Sequence, residues 1–213
     1  MNSFNTLNRR GLLAGVAAAG LLASPAFAQE QKDGPVDVKE LMTPPAIGEM
    51  SIGKPDAKVV IVEYASASCP HCAEFYKDVF PELTKEYIDT GKVLFIFREF
   101  PHNDPAMGAF MLARCAPKEK YFPLIDAFFN TQEQWVADPL TGLKNIALQA
   151  GFTEQTFNAC LANQDVAKGI FEVRTRAEGF GVKGIPTFFI NGVRYEGENT
   201  LAGMKAIIDP LLG

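Results

Sequence analysis

Two short apolar runs stand out in the first half of the chain. Lys58 to Val62 reads Lys-Val-Val-Ile-Val, and Val93 to Phe97 reads Val-Leu-Phe-Ile-Phe. Continuous β-branched and aromatic runs of this kind are typical of strands that are buried on both faces of a sheet. Between them, apolar residues recur at three- and four-residue steps, which predicts a helix. These helical positions are Phe75, Tyr76, Val79, Phe80 and Leu83. Strand, helix and strand in this order predict a right-handed parallel crossover.

The second half of the chain begins with a long stretch, about 101–180, that has no strand character. Proline and glycine interrupt this stretch at intervals, and both residues end helices. We therefore predict a series of helices there. The predicted helices are 105–116, 121–130, 140–150, 153–161 and 166–179.

A β-hairpin is predicted after the helical stretch. Thr187 to Ile190 and Val193 to Glu196 flank the pair Asn191-Gly192, and Asn-Gly is a strong signal for a two-residue hairpin turn. A last helix is predicted over 200–212. The predicted fold class is therefore α/β, with a small mixed sheet that is interrupted by an inserted helical subdomain.

The first 28 residues have the pattern of a signal peptide. Arg9 and Arg10 precede an apolar stretch of small residues at 11–22, and Ala26 to Ala28 forms a small-x-small cleavage site. The apolar stretch is too short to cross a bilayer comfortably. Asn8 to Leu13 also resembles a twin-arginine export signal, while the same arginines suit an ordinary signal for general secretion. Both routes lead to the periplasm, where we expect the protein to be.

Cleavage after Ala28 leaves 185 residues, a size that suits one domain. Residues 29–57 contain several prolines and glycines with little periodicity, which predicts an extended arm laid over the domain. The expected organisation is a signal peptide at 1–28, an N-terminal arm at 29–57 and a domain at 58–213. The helical insertion occupies about 101–180 of that domain.

The chain is acidic, with 20 basic and 25 acidic residues and a net charge of −5. Removal of Arg9 and Arg10 with the signal peptide makes this charge −7. A charge of this sign argues against nucleic acid as a partner and favours solubility.

The segment Cys69-Pro70-His71-Cys72 lies between the first predicted strand and the helix that follows it. The first turn of a helix has unpaired N–H groups and the positive end of the helix dipole, and both stabilise a thiolate. We expect Cys69 to be an exposed nucleophile with a pKa below the usual value of about 8.5. Pro70 suits a first helical position, and a protonated His71 adds positive charge near the Cys69 sulfur. Cys72, one turn inward, is expected to be the resolving thiol.

Two cysteines separated by two residues also occur in zinc sites. His102 and His71 are the histidines of the chain, and with Cys69 and Cys72 they would form a zinc or copper site. The alternative to a metal-binding role for His102 is that it is a surface or packing residue. The strand-to-helix context favours redox chemistry, because Pro70 and His71 suit thiolate activation.

The four cysteines allow three disulfide pairings. If Cys69 pairs with Cys72, then Cys115 and Cys160 either bond to each other or stay as buried free thiols. An oxidising compartment favours the bond. It would join two predicted helices and close a loop of about 45 residues, which contributes about 3 to 4 kcal/mol in the chain-entropy model.

These motifs together resemble the DsbA family of thioredoxin-fold oxidoreductases, in particular the bacterial branch with a second cysteine pair in the helical insertion. The resemblance covers residues 52–213. The motifs that carry it are Cys69-Pro70-His71-Cys72, Glu63 six residues before Cys69, the spaced Cys115 and Cys160, and Gly184-Ile185-Pro186-Thr187 before the hairpin. The resemblance implies a thioredoxin-like fold and a structural disulfide between Cys115 and Cys160.

Roles for three further residues are implied by the same resemblance. Pro186 is expected to be a cis-proline that lies against the active site, and Ile185 to offer backbone groups to an extended substrate. An apolar residue at position 185 is found in family members that oxidise. Glu63 is expected beneath the cysteine pair, where a carboxylate assists proton movement at Cys72. The alternative for Glu63 is an ion pair with Arg98 or contact with solvent at the end of the strand.

The leading hypothesis is a periplasmic dithiol oxidase that introduces disulfides into exported proteins through Cys69 and Cys72. Its partners would be reduced, unfolded exported proteins and a membrane quinone-linked oxidase of the DsbB type. The alternatives are a disulfide isomerase or reductase, and a metal-binding chaperone that uses Cys69, Cys72 and His102. We expect a monomer that needs neither a cofactor nor a bound metal.

Overall fold

The two apolar runs form the central strands of a five-stranded sheet in the computed structural model, which describes residues 36–213. The strands are β1 (Met50–Ile52), β2 (Val59–Ala65), β3 (Val93–Glu99), β4 (Thr187–Ile190) and β5 (Val193–Arg194). Their order across the sheet is β1-β3-β2-β4-β5. β2 and β3 run parallel, and the other neighbours pair antiparallel. The predicted mixed sheet is therefore confirmed.

Helices account for most of the remaining described chain. They are α1 (Val38–Met42), α2 (Pro70–Asp78), α3 (Phe80–Leu83), α4 (Asp104–Cys115), α5 (Tyr121–Asn130), α6 (Gln132–Ala137), α7 (Pro139–Gln149), α8 (Glu154–Leu161), α9 (Gln164–Gly179) and α10 (Leu201–Leu212). A π-helical turn, Thr84–Ile88, follows α3, and a 3-10 turn, Lys118–Lys120, precedes α5. Helices α4 to α9 lie between β3 and β4, which confirms the predicted helical insertion. None of the helices within residues 36–213 has the length and hydropathy that a bilayer-spanning segment needs.

The sheet is covered on both faces, which explains why its central strands are apolar throughout. Ile61 and Ala65 of β2 face a core that is shared with α2, α4, α5 and α10. Val62 and Tyr64 face a second core that includes residues of α1 and α9. Because side chains alternate along a strand, each face of β2 receives every second residue.

Aromatic contacts fix the helix that carries the cysteine motif. Phe75 of α2 packs on Phe188 of β4 with ring centroids 4.7 Å apart. Tyr76 of α2 stacks on Phe129 of α5 at 4.1 Å. The helix is thus held between the sheet and the insertion.

One long helix was expected after the cysteine motif, but the structure ends α2 at Asp78 and starts α3 at Phe80. Pro81 explains the break, because proline has no N–H to donate to the carbonyl four residues earlier. Val79 lies at the junction with φ −117° and ψ −47°.

The N-terminal segment 36–57 is more ordered than the predicted extended arm. It contains α1, which Asp37 caps by accepting from the N–H groups of Lys39 and Glu40. It also contains β1, an edge strand of the sheet that pairs antiparallel with β3. The predicted signal peptide, 1–28, lies outside the described residues.

Three arginines fasten this segment to the rest of the fold, and we call them the arginine clasp: Arg98, Arg114 and Arg176. Each donates to main-chain carbonyls of the segment. The accepting residues are Leu41 for Arg98, Gly48 for Arg114, and Glu40 and Thr43 for Arg176. Arg98 also pairs with Glu49 at 2.6 Å, and Arg114 with the buried Glu99 at 2.5 Å.

Candidate active site

Cys69 lies where β2 gives way to α2. It is the N-cap residue of α2, with extended backbone angles (φ −85°, ψ 121°), and Pro70 occupies the first helical position. The Cys69 N–H donates to the carbonyl of Ser66 at 3.0 Å. Cys69 and Cys72 are free thiols in this structure. The Cys69 sulfur therefore sits at the N-terminus of a helix, where unpaired N–H groups are available.

Several groups converge on the Cys69 sulfur and lower its pKa from 9.0 to about 6. The largest contribution is the hydrogen bond from the Cys72 side chain. Burial acts in the opposite direction, and the main-chain N–H groups of Cys72 and His71 and the charge of His102 lower the pKa further. Cys69 is only 7% exposed, less than the exposed nucleophile that was expected. The thiol is thus acidic but largely shielded from solvent.

Cys72 behaves in the opposite way. It is fully buried, and burial raises its pKa well above the usual range. Its hydrogen bond to Cys69 and the nearby Glu63 carboxyl group raise the pKa further. The two thiols therefore differ in chemistry: Cys69 favours the thiolate and Cys72 keeps its proton.

Glu63 is a fully buried carboxyl group on the face of β2 that α2 covers. Burial raises its pKa well above the usual range; the nearby Tyr76 hydroxyl opposes this rise and the charge of Cys69 adds to it. Within residues 36–213, neither oxygen of the Glu63 side chain nor the Tyr76 hydroxyl completes a hydrogen bond. A carboxyl group in this position is held as the neutral acid.

The alternative placement of Glu63, in an ion pair with Arg98 or in solvent, is wrong. β2 and β3 align Tyr64 with Arg98, so Arg98 lies on the opposite face of the sheet from Glu63. Arg98 pairs with Glu49 and donates to the Tyr64 hydroxyl.

The His71 imidazole is exposed and turns toward Glu74, with Nδ1 2.9 Å from the Glu74 Oε2 atom. The pairing with Glu74 raises the pKa of His71, and the Cys69 thiolate adds to the rise. The sequence suggested that this ring supplies the positive charge near Cys69. In the structure, His71 contributes chiefly its main-chain N–H, and His102 is the imidazole whose charge lowers the pKa of Cys69.

The loop before β4 lies against the reactive sulfur. The Ile185-Pro186 peptide bond is cis, and the carbonyl oxygen of Ile185 lies 3.7 Å from the Cys69 sulfur. The Thr187 hydroxyl donates to the carbonyl of Gly184 at 2.7 Å, which closes the loop on itself. The structure thus brings Ile185, which is 116 residues from Cys69 along the chain, to the site formed by Glu63, Cys69 and Cys72.

His102 and Asn103, which follow β3, hold the loop that leads into α2. His102 Nδ1 lies 2.8 Å from the Ser66 hydroxyl, and the Asn103 side chain accepts from the Ser68 hydroxyl at 2.9 Å. Asn103 also caps α4 by accepting from the Ala106 N–H. An Asn followed by Asp-Pro is a recognisable helix start, but that signal does not reveal the contact with Ser68.

Gln132 of α6 is a further residue that sequence reasoning missed. Its side-chain amide donates to the carbonyl oxygens of Ala67 (2.8 Å) and Cys69 (2.9 Å). Only 6% of Gln132 is exposed. No signal in the sequence identifies it, because α6 is six residues long and shows no apolar period.

A metal centre built from His102, His71 and the two cysteines does not assemble. Within residues 36–213, no three His, Cys, Asp or Glu side chains are grouped so that they could hold a metal ion. His102 instead contacts Ser66 and Asn103.

Cys115 and Cys160 form a disulfide with their Cα atoms 6.0 Å apart. The bond joins the C-terminal end of α4 to α8. Cys115 is the last residue of α4 and, at 1.5 Å per residue, lies about 17 Å along the helix from the end that begins beside the active-site loop.

An open cavity of about 590 Å³ lies beside His71, between α2 and the start of α10. Its walls combine apolar and polar residues. They are His71, Glu74, Phe75, Asp78, Val79, Asn199, Thr200 and Leu201.

Comparison with known proteins agrees with this geometry. Residues 46–210 match the family model described as Thioredoxin. A putative protein-disulfide oxidoreductase of Rickettsia bellii is 34% identical over 189 residues, which span 85% of this chain and 72% of that protein. The crystal structure of Wolbachia pipientis alpha-DsbA1 is 32% identical with a TM-score of 0.75, and the match covers 82% of this chain and 96% of that one. Oxidised BdbD from Bacillus subtilis, 23% identical with a TM-score of 0.69 over 79% of this chain and 96% of that one, shares the fold.

Proposed function

The chain belongs to the thioredoxin family and is a disulfide oxidoreductase of the DsbA type, and from this premise we propose that it works as a dithiol oxidase. The observation that carries the proposal is the stabilised Cys69 thiolate, whose pKa is lowered to about 6. A stabilised thiolate stabilises the reduced form, and this makes the disulfide form a stronger oxidant. A protein of this kind accepts electrons from its substrates.

The first step is attack of a substrate thiolate on the Cys69 sulfur of the oxidised pair. A bond forms between the substrate sulfur and Cys69, and the Cys69–Cys72 bond breaks. The electron pair of the broken bond goes to Cys72, which takes up a proton because burial raises the pKa of its thiol. Glu63 is the proton donor on this side, since burial holds its carboxyl group as the neutral acid.

The second step releases the product. A second thiolate of the substrate attacks the substrate sulfur of the mixed disulfide, and Cys69 leaves as a thiolate. A thiol of low pKa is a good leaving group, so the hydrogen bond and N–H groups around Cys69 favour release. The substrate loses two electrons and two protons. Glu63 regains from solvent the proton that it gave to Cys72, so in net terms one proton is held on Cys72 and the other is released to solvent.

Substrate binding is proposed at two neighbouring places. The main chain of Ile185 is available to pair with an extended segment of the substrate, in the manner of strand addition. Residues that flank the substrate cysteine would then lie over His71 and enter the cavity beside it. An unfolded chain meets both requirements, because its backbone is free to extend.

The signal-like residues 1–28 support a periplasmic location, with reduced, unfolded exported proteins as substrates. The reduced Cys69–Cys72 pair must pass its two electrons on before it can act again. We propose a quinone-linked membrane oxidase of the DsbB type as the acceptor, and a monomer as the working form. N-terminal sequencing of the exported protein tests the location: a chain that begins at Gln29 supports cleavage after Ala28, and an intact Met1 contradicts it.

The direction of the reaction is tested by equilibration of the Cys69–Cys72 pair with glutathione. For an oxidase we expect a reduction potential well above that of thioredoxin, which is about −270 mV. A value near that of thioredoxin would instead support a reductase. Comparison of insulin reduction with refolding of scrambled ribonuclease separates a reductase from an isomerase.

A further inference from the structure

The short loop that joins β2 to α2 is held by the helical insertion as well as by its own backbone. Gln132 contributes two of the contacts, since one amide group bonds to the carbonyls of both Ala67 and Cys69. The amide is buried, so water does not compete for these bonds. The residue that carries the reactive sulfur is thus connected directly to α6.

The position of Gln132 is itself well defined. Trp135, one turn further along α6, is 1% exposed and donates from its ring N–H to the Phe128 carbonyl at 2.7 Å. Gly142 of α7 packs so closely that a Cβ atom there would lie 2.5 Å from the Cα of Trp135. These contacts fix α6 against its neighbours. The backbone that carries the Gln132 side chain is therefore held in place.

We propose that Gln132 is a positioning residue for the oxidase reaction, which holds the main chain of Cys69 so that its sulfur faces the N–H groups of the first turn of α2. The inference rests on the proposed function. It assigns to the helical insertion a part in the chemistry, because Gln132 belongs to the insertion while Cys69 belongs to the sheet-and-helix unit.

The physical reason lies in the two carbonyl groups. The Cys69 carbonyl also accepts from the Ala73 N–H at 3.1 Å, the first intrahelical bond of α2, so Gln132 is the second donor that fixes its direction. The Ala67 carbonyl loses its Gln132 donor when the amide is removed and is expected to turn toward another partner, because leaving a buried carbonyl unpaired is costly. Ala67 and Cys69 bracket the turn that leads into α2, so we expect movement of these two carbonyls to shift the Cys69 sulfur relative to the N–H groups of His71 and Cys72. Those groups are among the causes of the lowered pKa of Cys69.

The test compares Gln132→Met with Gln134→Met in the otherwise intact protein. Methionine has nearly the length and volume of glutamine but has no donor. Gln134 lies on the same helix with its side chain exposed, so it is a matched control. The readouts are the pKa of Cys69, from the ultraviolet absorbance of the thiolate, and the equilibrium constant with glutathione.

For Gln132→Met we expect the pKa of Cys69 to rise by about one unit. The oxidising equilibrium constant should fall about tenfold, which corresponds to about 30 mV for a two-electron couple. Gln134→Met should match the wild-type protein in both readouts. If Gln132→Met does not fold, Gln132→Asn keeps the amide but draws it back by one methylene, and it should move both readouts in the same direction by a smaller amount.

The inference is overturned if the Gln132 variants lose thermal stability while both readouts stay at the wild-type values, since the residue would then be structural only. It is also overturned if Gln134→Met shifts them equally. The wild-type equilibrium constant by itself tests the direction of the reaction. The difference between variant and wild type tests Gln132, so the two failures can be told apart.

Discussion

Reduction of the Cys69–Cys72 pair should make the stability of the protein depend on pH between about pH 5 and about pH 8. The pKa of Cys69 is lowered in the folded protein from 9.0 to about 6. Near pH 8 the folded protein has already lost this proton, while most unfolded chains still hold it. The unfolded state therefore binds more protons, and stability rises with pH. As the pH falls through 6, the contribution is lost.

The magnitude follows from the same two values. Integrated from about pH 5 to about pH 8, the difference in bound protons gives about 2.5 kcal/mol for the reduced protein. The oxidised protein has no Cys69 thiol and lacks this contribution. Cys72 adds little, because its raised pKa keeps it protonated in the folded state over this range.

Guanidinium unfolding of both redox states, followed by the fluorescence of the single tryptophan, Trp135, measures this difference. The experiment is best done with Cys115→Ala and Cys160→Ala, so that reductant changes only the active pair. The oxidised form serves as the reference, because most other titrating groups contribute equally to both states. If the reduced and oxidised proteins keep the same difference in unfolding free energy at both pH values, the lowered pKa of Cys69 is refuted.

Three further predictions concern groups around and beyond the active pair. Loss of the second disulfide in Cys115→Ala with Cys160→Ala should lower the free energy of unfolding by about 4 kcal/mol, because a loop of about 45 residues is no longer closed; an unchanged guanidinium midpoint would contradict this. Glu63→Gln removes the buried acid and should slow thiol exchange at neutral pH by about a hundredfold, the lower end for general acid catalysis, in stopped-flow measurements. A wild-type rate would remove Glu63 from the mechanism. His102→Gln should raise the pKa of Cys69 in a thiolate titration, because a positive charge is lost; no change would show that the His102 charge does not reach the sulfur.

Much of the fold could be predicted from the sequence because its strongest signals are local. The runs at 58–62 and 93–97 are apolar because both faces of the sheet are covered, and such runs leave few alternatives. The cysteine motif falls between a predicted strand and a predicted helix, so the position of the reactive cysteine in the fold could also be predicted. The Asn191-Gly192 turn has positive φ at both residues, 48° and 83°, as a tight hairpin turn requires.

The parts that were missed depend on tertiary contacts. α6 is too short to show an apolar period, so the sequence gives no reason to place Gln132 beneath the active-site loop. β1 has three residues and gains its order from pairing with β3. The roles of the two histidines also depend on the fold, since Glu74 draws the His71 ring away and the end of β3 brings His102 toward the loop.

The arginine clasp determines when the segment at 36–57 becomes anchored during folding. The segment at 36–57 is synthesised before the rest of the described chain, yet β1 has no partner until β3 has followed. The carbonyls of Glu40 and Thr43 in this segment lack their Arg176 donor until residue 176 has been synthesised. The first segment of the fold to be made is thus anchored only after most of the helical insertion has followed. Because guanidinium groups stay charged at any acidity a folded protein tolerates, the donors of the clasp are present in acidic and neutral surroundings alike.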